Sequence, residues 1–427
     1  MPKSTIFDNR DFLFLWSGNA ASNIGLSGVR IAYPLLALIL TGSPMSASVV
    51  SFAIILPSLI FEIPAGIASD YWDRRRVLVK CQQLGLAATL MAALVVITRP
   101  PGLSVFLAGA AFVEGAAYVF FSNSELGLVR DIVAVNERSS AIAFLEAEQS
   151  IAQLAGRALG VMTLGIARSL PFLANTASYL YCLWTLSRMG ARMPDKPEVD
   201  GPAPATIWDW NHVGSGVRTI WAEPLVKGAT IILGITNAIF QVFILLMTVQ
   251  VRNSGHPVWV IGIVLGATGL GGLLGAVLAA GLANHFSPRI MFTCTLWAWV
   301  VLCIPMAMSS NPLVLAMCWM GIGFAAPPAN VALTLYRLRV FPENYVGRIH
   351  GAIKLIANGG AAFGSLLAGT LLSVLGISET GWILVTLMVL MARIGRRLPE
   401  PRPAAPGLPT NWITRLSLKG PGHPEVW

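Results

Sequence analysis

Apolar runs of about twenty residues recur along the whole chain, separated by short polar connections. A hydrocarbon core of about 30 Å needs about 20 apolar residues in helical form. The pattern predicts twelve spanning helices, over Leu13–Leu40, Ser48–Ala68, Val77–Ile97, Leu103–Ser122, Ser140–Ala167, Leu170–Met189, Leu225–Val249, Val258–Ala283, Ile290–Met308, Pro312–Leu335, Ala352–Leu375 and Ser378–Leu398. The last is the weakest. Only Trp382 to Met391 is cleanly apolar, and it spans if Arg393, Arg396 and Arg397 reach back to the interface.

Polar residues inside these runs fall at helical spacing, where positions 4, 7 or 11 apart share a face. Span one carries Asn19, Asn23 and Arg30 on one stripe, with Ser27 beside it; span four carries Glu114, Tyr118, Ser122 and Glu125. Span five carries Glu146, Ser150, Gln153 and Arg157. In the second half Thr230, Asn237, Gln241 and Thr248 align in span seven, Asn330 and Thr334 in span ten, and Lys354, Asn358 and Ser365 in span eleven. Polar groups facing lipid would cost several kcal/mol each, so the stripes are expected to face protein or a shared wet cavity. The expected cavity wall is Asn19, Asn23, Arg30, Glu114, Tyr118, Gln153 and Arg157 from the first half, and Asn237, Gln241, Asn330 and Asn358 from the second.

Composition excludes a water-soluble domain. Apolar residues make up 55% and charged residues 11%, where a soluble surface needs roughly 25% charged residues. The net charge of +9 is a topology signal, not a nucleic-acid patch. The loops on one side carry only Arg99, Arg168 and Arg252, Arg30 and Arg157 lie within spans, and all other Lys and Arg fall on the side of the termini. Basic loops stay inside, so both termini are expected in the cytoplasm and the protein in the inner membrane. No small-residue cleavage site follows the first run, so it is expected to stay in the bilayer. The five cysteines lie in or beside apolar runs without CxxC or Cys/His spacing and read as free thiols. His256, His285 and His350 sit in connections without companion ligands, and no metal is expected.

The longest polar interval, with the Pro-rich stretch MPDKPEVDGPAPA, divides the chain into an N-terminal six-helix bundle at 1–190, a cytoplasmic linker at 191–223 with a possible surface helix, a C-terminal six-helix bundle at 224–398 and a cytoplasmic tail at 399–427. The halves echo each other. Gly66-Ile-Ala-Ser-Asp70 with Arg74 to Arg76, between spans two and three, matches Gly281-Leu-Ala-Asn284 with Arg289, between eight and nine. Arg138 with Ala141, between four and five, matches Arg348 with Gly351, between ten and eleven, at nearly the same offset. Duplicated bundles are how many secondary transporters build a midplane site.

The loop GIASDYWDRRRVL resembles the signature between helices two and three of the major facilitator superfamily. The stretches PLLALILTGSP, ILPSLIFEIPAG, SLPFLANTASYL, GATGLGGLLGAVLAAGLA and VFPENYVGRIHG resemble its drug-efflux branch, which includes macrolide-efflux and enterobactin-exporter proteins. The resemblance implies an all-α fold of twelve helices in two pseudo-symmetric bundles. Helices one, four, seven and ten would line the centre, and three, six, nine and twelve would be peripheral and poorer in polar groups. It also implies an inner gate of Glu62, Gly66, Asp70, Asp73, Arg74 and Arg75 with Arg138 and Arg348. In that gate Gly66 would permit close packing and Glu62 would pair with the gate arginines. The chain departs from the branch at Tyr71, where a gate cation is usual, and at Gly156-Arg157, where the exchange pattern has Gly-Pro.

Glu114, deep in span four, suits a proton carrier, with Arg30 as its partner or as the partner of an anionic substrate group. Glu146 is the second coupling candidate, whereas Glu148, well around the helix from it, reads as interfacial. Lys354 is placed to snorkel, and the Gly266–Gly275 run to pack helices closely. The expected function is export of a small amphiphilic molecule, a drug, antibiotic or siderophore, by alternating access and proton antiport. The proton gradient would drive it without any cofactor, in a monomer whose partners are substrate and bilayer, with no nucleic acid. No GxxxxGK[ST] sequence for ATP is present. The alternatives are uptake or uniport, and a transporter-derived sensor or membrane enzyme.

Overall fold

A computed structural model describes residues 9–133, 138–190, 218–341 and 343–400. The linker up to residue 217 and the tail from residue 401 lie outside the described residues, as do the side chains of Asp70, Arg138, Glu146, Ser150 and Arg348. Twelve long helices follow one another: α1 (Arg10–Thr41), α2 (Pro44–Tyr71), α3 (Arg74–Thr98), α4 (Leu103–Ile132), α5 (Arg138–Ile166), α6 (Leu170–Arg188), α7 (Pro224–Asn253), α8 (Val258–His285), α9 (Pro288–Met308), α10 (Pro312–Val340), α11 (Glu343–Val374) and α12 (Ile377–Arg396). Among the described residues ten are long and apolar enough to cross a bilayer. The final helix is continuous despite its three arginines, and residues 218–222 form a short helical turn ahead of α7.

Local sequence sets the boundaries. Asn9 caps α1 by accepting from the Phe12 amide, Asp73 caps α3 through Arg76, and Ser287 and Asn311 cap α9 and α10, each followed by proline at the first turn. Gly42 ends α1 in the left-handed region at φ 69°.

The two halves repeat one packing scheme. In the first, α1 packs on α5 and α6, α2 on α4, and α3 on α4 and α6; in the second, α7 packs on α11 and α12, α8 on α10, and α9 on α10 and α12. The closest seams are built from glycine. A Cβ on Gly160 of α5 would run into the backbone of Gly28 on α1, and one on Gly360 of α11 would run into the backbone of Gly234 on α7. In α8, Gly271 and Gly275 lie against Met320 and Phe324 of α10, the close packing expected of that glycine run. The basic connections repeat too. Arg75 donates to the carbonyls of Leu186 and Met189 at the end of α6, and Arg289 to the carbonyl of Arg396 at the end of α12. Each cation satisfies carbonyls that a helix end leaves without partners.

Two symmetric contacts join the halves, α2 with α11 and α5 with α8. They concentrate toward the far face, opposite the face where α1 begins and α12 ends (the near face). At the far face Ser48 of α2 bonds the carbonyls of Ser365 and Leu366 and accepts from the amide of Gly369 on α11. Arg252, at the end of α7, donates to the carbonyl of Leu38 at 2.8 Å, placing a cation at the C-terminus of α1. Gly262 and Gly269 of α8 lie against Val161 and Leu154 of α5. Toward the near face, by contrast, a Cβ on Gly66 or Gly351 would meet nothing within 4 Å. Among the described residues the seam is closely packed at the far face and has open space beside these two glycines.

Candidate functional site

Between the halves lies a cavity of about 410 Å³, within the size range of small-molecule sites. Seven of the expected residues line it: Asn23, Arg30 and Tyr118 from α1 and α4, Gln153 and Arg157 from α5, Gln241 from α7 and Asn358 from α11. Apolar walls come from Leu26, Ile54, Ile244, Leu265 and Trp319, so the space is amphiphilic. The Arg30 guanidinium stacks over the Tyr118 ring, 4.1 Å from its centre. Arg157 donates to Thr268 on α8 at 3.4 Å, a long bond across the halves.

Four expected wall residues lie elsewhere. Asn19 is fully buried and donates at 2.5 Å to Glu125, away from the cavity. Asn237 donates to the carbonyl of Leu233 on its own helix, and Asn330 is exposed but outside the wall. Glu114 is the largest correction. It is fully buried inside the first half and accepts from Tyr33 at 2.8 Å, Tyr179 at 2.7 Å and Asn175 at 2.5 Å. Three donors from α1 and α6 hold the carboxyl, and among the described residues no ion pair joins it to Arg30. Two of those donors, Asn175 and Tyr179, come from α6, a helix expected to be peripheral and poor in polar groups.

Glu148 is not interfacial. It is 3% exposed and accepts from Asn23 at 2.7 Å, while its second carboxyl oxygen is buried with no hydrogen-bond partner among the described residues. Glu125 and Glu148 thus sit along one stripe of α1, each receiving one amide, from Asn19 and Asn23. Asn23 also lines the cavity, which connects this pair of acids to the solute space.

The expected gate residues divide. Glu62 pairs not with the arginines but with Lys354 of α11, at 2.8 Å. The two ends of that bridge lie 292 positions apart in sequence, one in each half, and both line the cavity. Lys354 therefore points inward instead of snorkelling. Arg74 pairs with Asp131 at 2.5 Å and donates to the carbonyls of Ser69 and Gly127, which ties the α2–α3 connection to the end of α4. Asp73 is occupied as a cap and by Arg76 at 3.2 Å. Gly66 stands in open space and makes no close helix contact. Asp70, Arg138 and Arg348 lie outside the described side chains, as does Glu146. No cluster able to hold a metal occurs among the described residues.

The comparisons agree with this architecture. The curated relatives include the multidrug efflux pump Tap of Mycolicibacterium fortuitum, 24% identical over 392 residues, covering 87% of this chain and 91% of that one. The Tap of Mycobacterium tuberculosis is 25% identical over 394 residues, covering 90% and 91%. Among solved structures, the nucleoside transporter NupG superposes with a TM-score of 0.71 at 11% identity, covering 91% of this chain and 98% of that one. A bacterial homolog of the human lysosomal transporter Spinster, inward-facing and unoccupied, gives 0.65 at 14% identity, covering 92% and 97%. Identities this low carry the fold alone. The family model described as transmembrane secretion effector matches residues 4–412. With nearly the whole chain matched, the protein belongs to that family, and it is a multi-pass transporter of the major facilitator superfamily, not an enzyme.

Proposed function

We propose that the protein exports a small amphiphilic organic molecule across the inner membrane by alternating access, driven by proton entry. The observation that carries this reading is the cavity itself, polar and apolar at once, between two repeated halves that touch at the far face and part at the near face. The distribution of basic residues supports a cytoplasmic near face, so this conformation would load from the cytosol or inner leaflet. The curated relatives named as efflux pumps support the outward direction.

We assign the proton to Glu148. Its second oxygen is buried with no hydrogen-bond donor facing it among the described residues, so the ionised form would hold a charge uncompensated in an apolar medium and the neutral, protonated form is favoured. Among the described residues the ionisable groups around it are Glu125 on α4 and Cys182 on α6, and Asn23 links it to the cavity. Closure of the near face would then bring Gly66 and the motif around Arg74 and Arg75 against the second half, where Arg348 lies.

Inside-out vesicles with an acid interior test both parts. A panel of small fluorescent amphiphiles should include at least one that accumulates and leaks out when the gradient is collapsed. Glu148→Gln should abolish gradient-driven accumulation while keeping counterflow exchange; Glu114→Gln should keep gradient-driven uptake wherever it folds. Full accumulation by Glu148→Gln would remove Glu148 from coupling. Accumulation indifferent to the gradient would favour uniport.

A further inference from the structure

We infer that the transported molecule carries an anionic group, a carboxylate, sulfonate or phosphate, held between Arg30 and Arg157. The inference deepens the export reading and rests on it. Arg30 on α1 and Arg157 on α5 flank a close glycine seam of the first half, where Gly28 meets Gly156 and Gly160, and both line the cavity. Their charges act on each other.

Neither has a counter-ion among the described residues. Arg30 has the face of Tyr118, and Arg157 has the single long bond to Thr268. A guanidinium offers five N–H donors and no acceptor, so most of the donor capacity of both groups is unspent. Among the described residues of the cavity wall the one acid, Glu62, is bound to Lys354. Glu114 is within electrostatic range of Arg30 but has its oxygens engaged by Tyr33, Tyr179 and Asn175. Glu125 and Glu148 are bonded to asparagines.

Among the described residues the cavity wall therefore carries two guanidinium groups without an ion-pair partner beside apolar surface. Guanidinium groups bind carboxylates, sulfonates and phosphates through paired, charge-assisted hydrogen bonds. The neighbouring Gln153 and Asn23 supply further donors, and Ile244, Leu265 and Trp319 supply apolar cover for the rest of the molecule. A cation would meet like charge on entering. Outward movement of an anion is also favoured by an inside-negative membrane potential, so the class of substrate and the proposed direction agree.

The test uses the full chain in lipid nanodiscs with three probes of one shape: 2-naphthoate, 2-naphthamide and a 2-naphthyl trimethylammonium salt. Titration calorimetry reads affinity and thermal unfolding reads folding. The naphthoate should bind about tenfold or more tightly than the amide, from the charge-assisted bonds, and the cation should bind more weakly than either. Arg157→Gln and Arg30→Gln should each weaken naphthoate by about tenfold and leave the amide nearly unchanged; Arg157→Lys should keep part of the preference. If Arg157→Gln fails to fold, the probe series on the unaltered chain and Arg30→Gln still decide. A cation that binds as tightly as naphthoate, or Gln variants with undiminished naphthoate affinity, would overturn the inference. Gradient-driven accumulation of the cationic probe together with absent anion preference would overturn it while leaving the export reading standing.

Discussion

Gly160→Val should leave almost no folded protein. The substituted Cβ would overlap Gly28 backbone atoms, its Cα, carbonyl carbon and oxygen. A flexible side chain could yield; a helix backbone can move only if α1 and α5 separate along their length. Overpacking costs about 1–3 kcal/mol where side chains can rearrange, and here they cannot, so the loss should exceed that range. Gly360→Val should fail in the same way against Gly234, because the second half repeats the seam. Size-exclusion profiles of a fluorescently tagged protein in mild detergent would read this as loss of the monodisperse peak. Gly66→Leu makes the contrast. With nothing within 4 Å of its Cβ, it should keep the peak and the melting temperature, yet lose transport, since the near face could no longer close. A normal profile for Gly160→Val, or an unfolded Gly66→Leu, would contradict the packing described.

Glu114→Ala should be the most damaging polar substitution in the first half. It leaves two tyrosine hydroxyls and one asparagine amide in a fully buried site without their acceptor. Each orphaned buried donor costs about 1–3 kcal/mol, so the total should be about 3 kcal/mol or more. Glu114→Gln keeps the shape and one carbonyl acceptor and should lose roughly half as much. Thermal unfolding in detergent would rank them. Equal melting temperatures for the wild type and Glu114→Ala would show that the three donors have other partners and that the carboxyl group is not structural.

The residue pattern carried the architecture well because a bilayer leaves so few options. Apolar runs of membrane length had to be helices, and amides and charges within them had to find protein or water. Helical spacing singled out Asn23, Arg30, Gln153, Arg157, Gln241 and Asn358, and each of them lines the space between the halves. Spacing names a face of one helix, however, not the neighbour that covers it. Asn19 shares the stripe of Asn23 and Arg30 but sits where α4 and α6 close over it. Glu114 shares the stripe of Tyr118 but meets α1 and α6. Glu148 is buried because α5 is covered on two sides, by α1 and by α8, so a position well around from one buried face reaches another. The Glu62–Lys354 bridge joins helices whose contact depends on how the halves dock, which no local pattern records.

The central claim is that the halves open alternately around one cavity, and it is tested most directly at the far face. On that side of the seam a Cβ on Gly266 of α8 would lie 3.9 Å from the Cβ of Ala158 on α5, a spacing that a disulfide accepts. Ala158→Cys with Gly266→Cys, made with Cys294→Ser because that native thiol is exposed, could be oxidised to lock this side of the seam shut in proteoliposomes. Substrate flux should stop on oxidation and return on reduction, while binding from the near face persists. Undiminished flux through fully cross-linked protein would mean that the far face need not open, and the alternating-access account would fail.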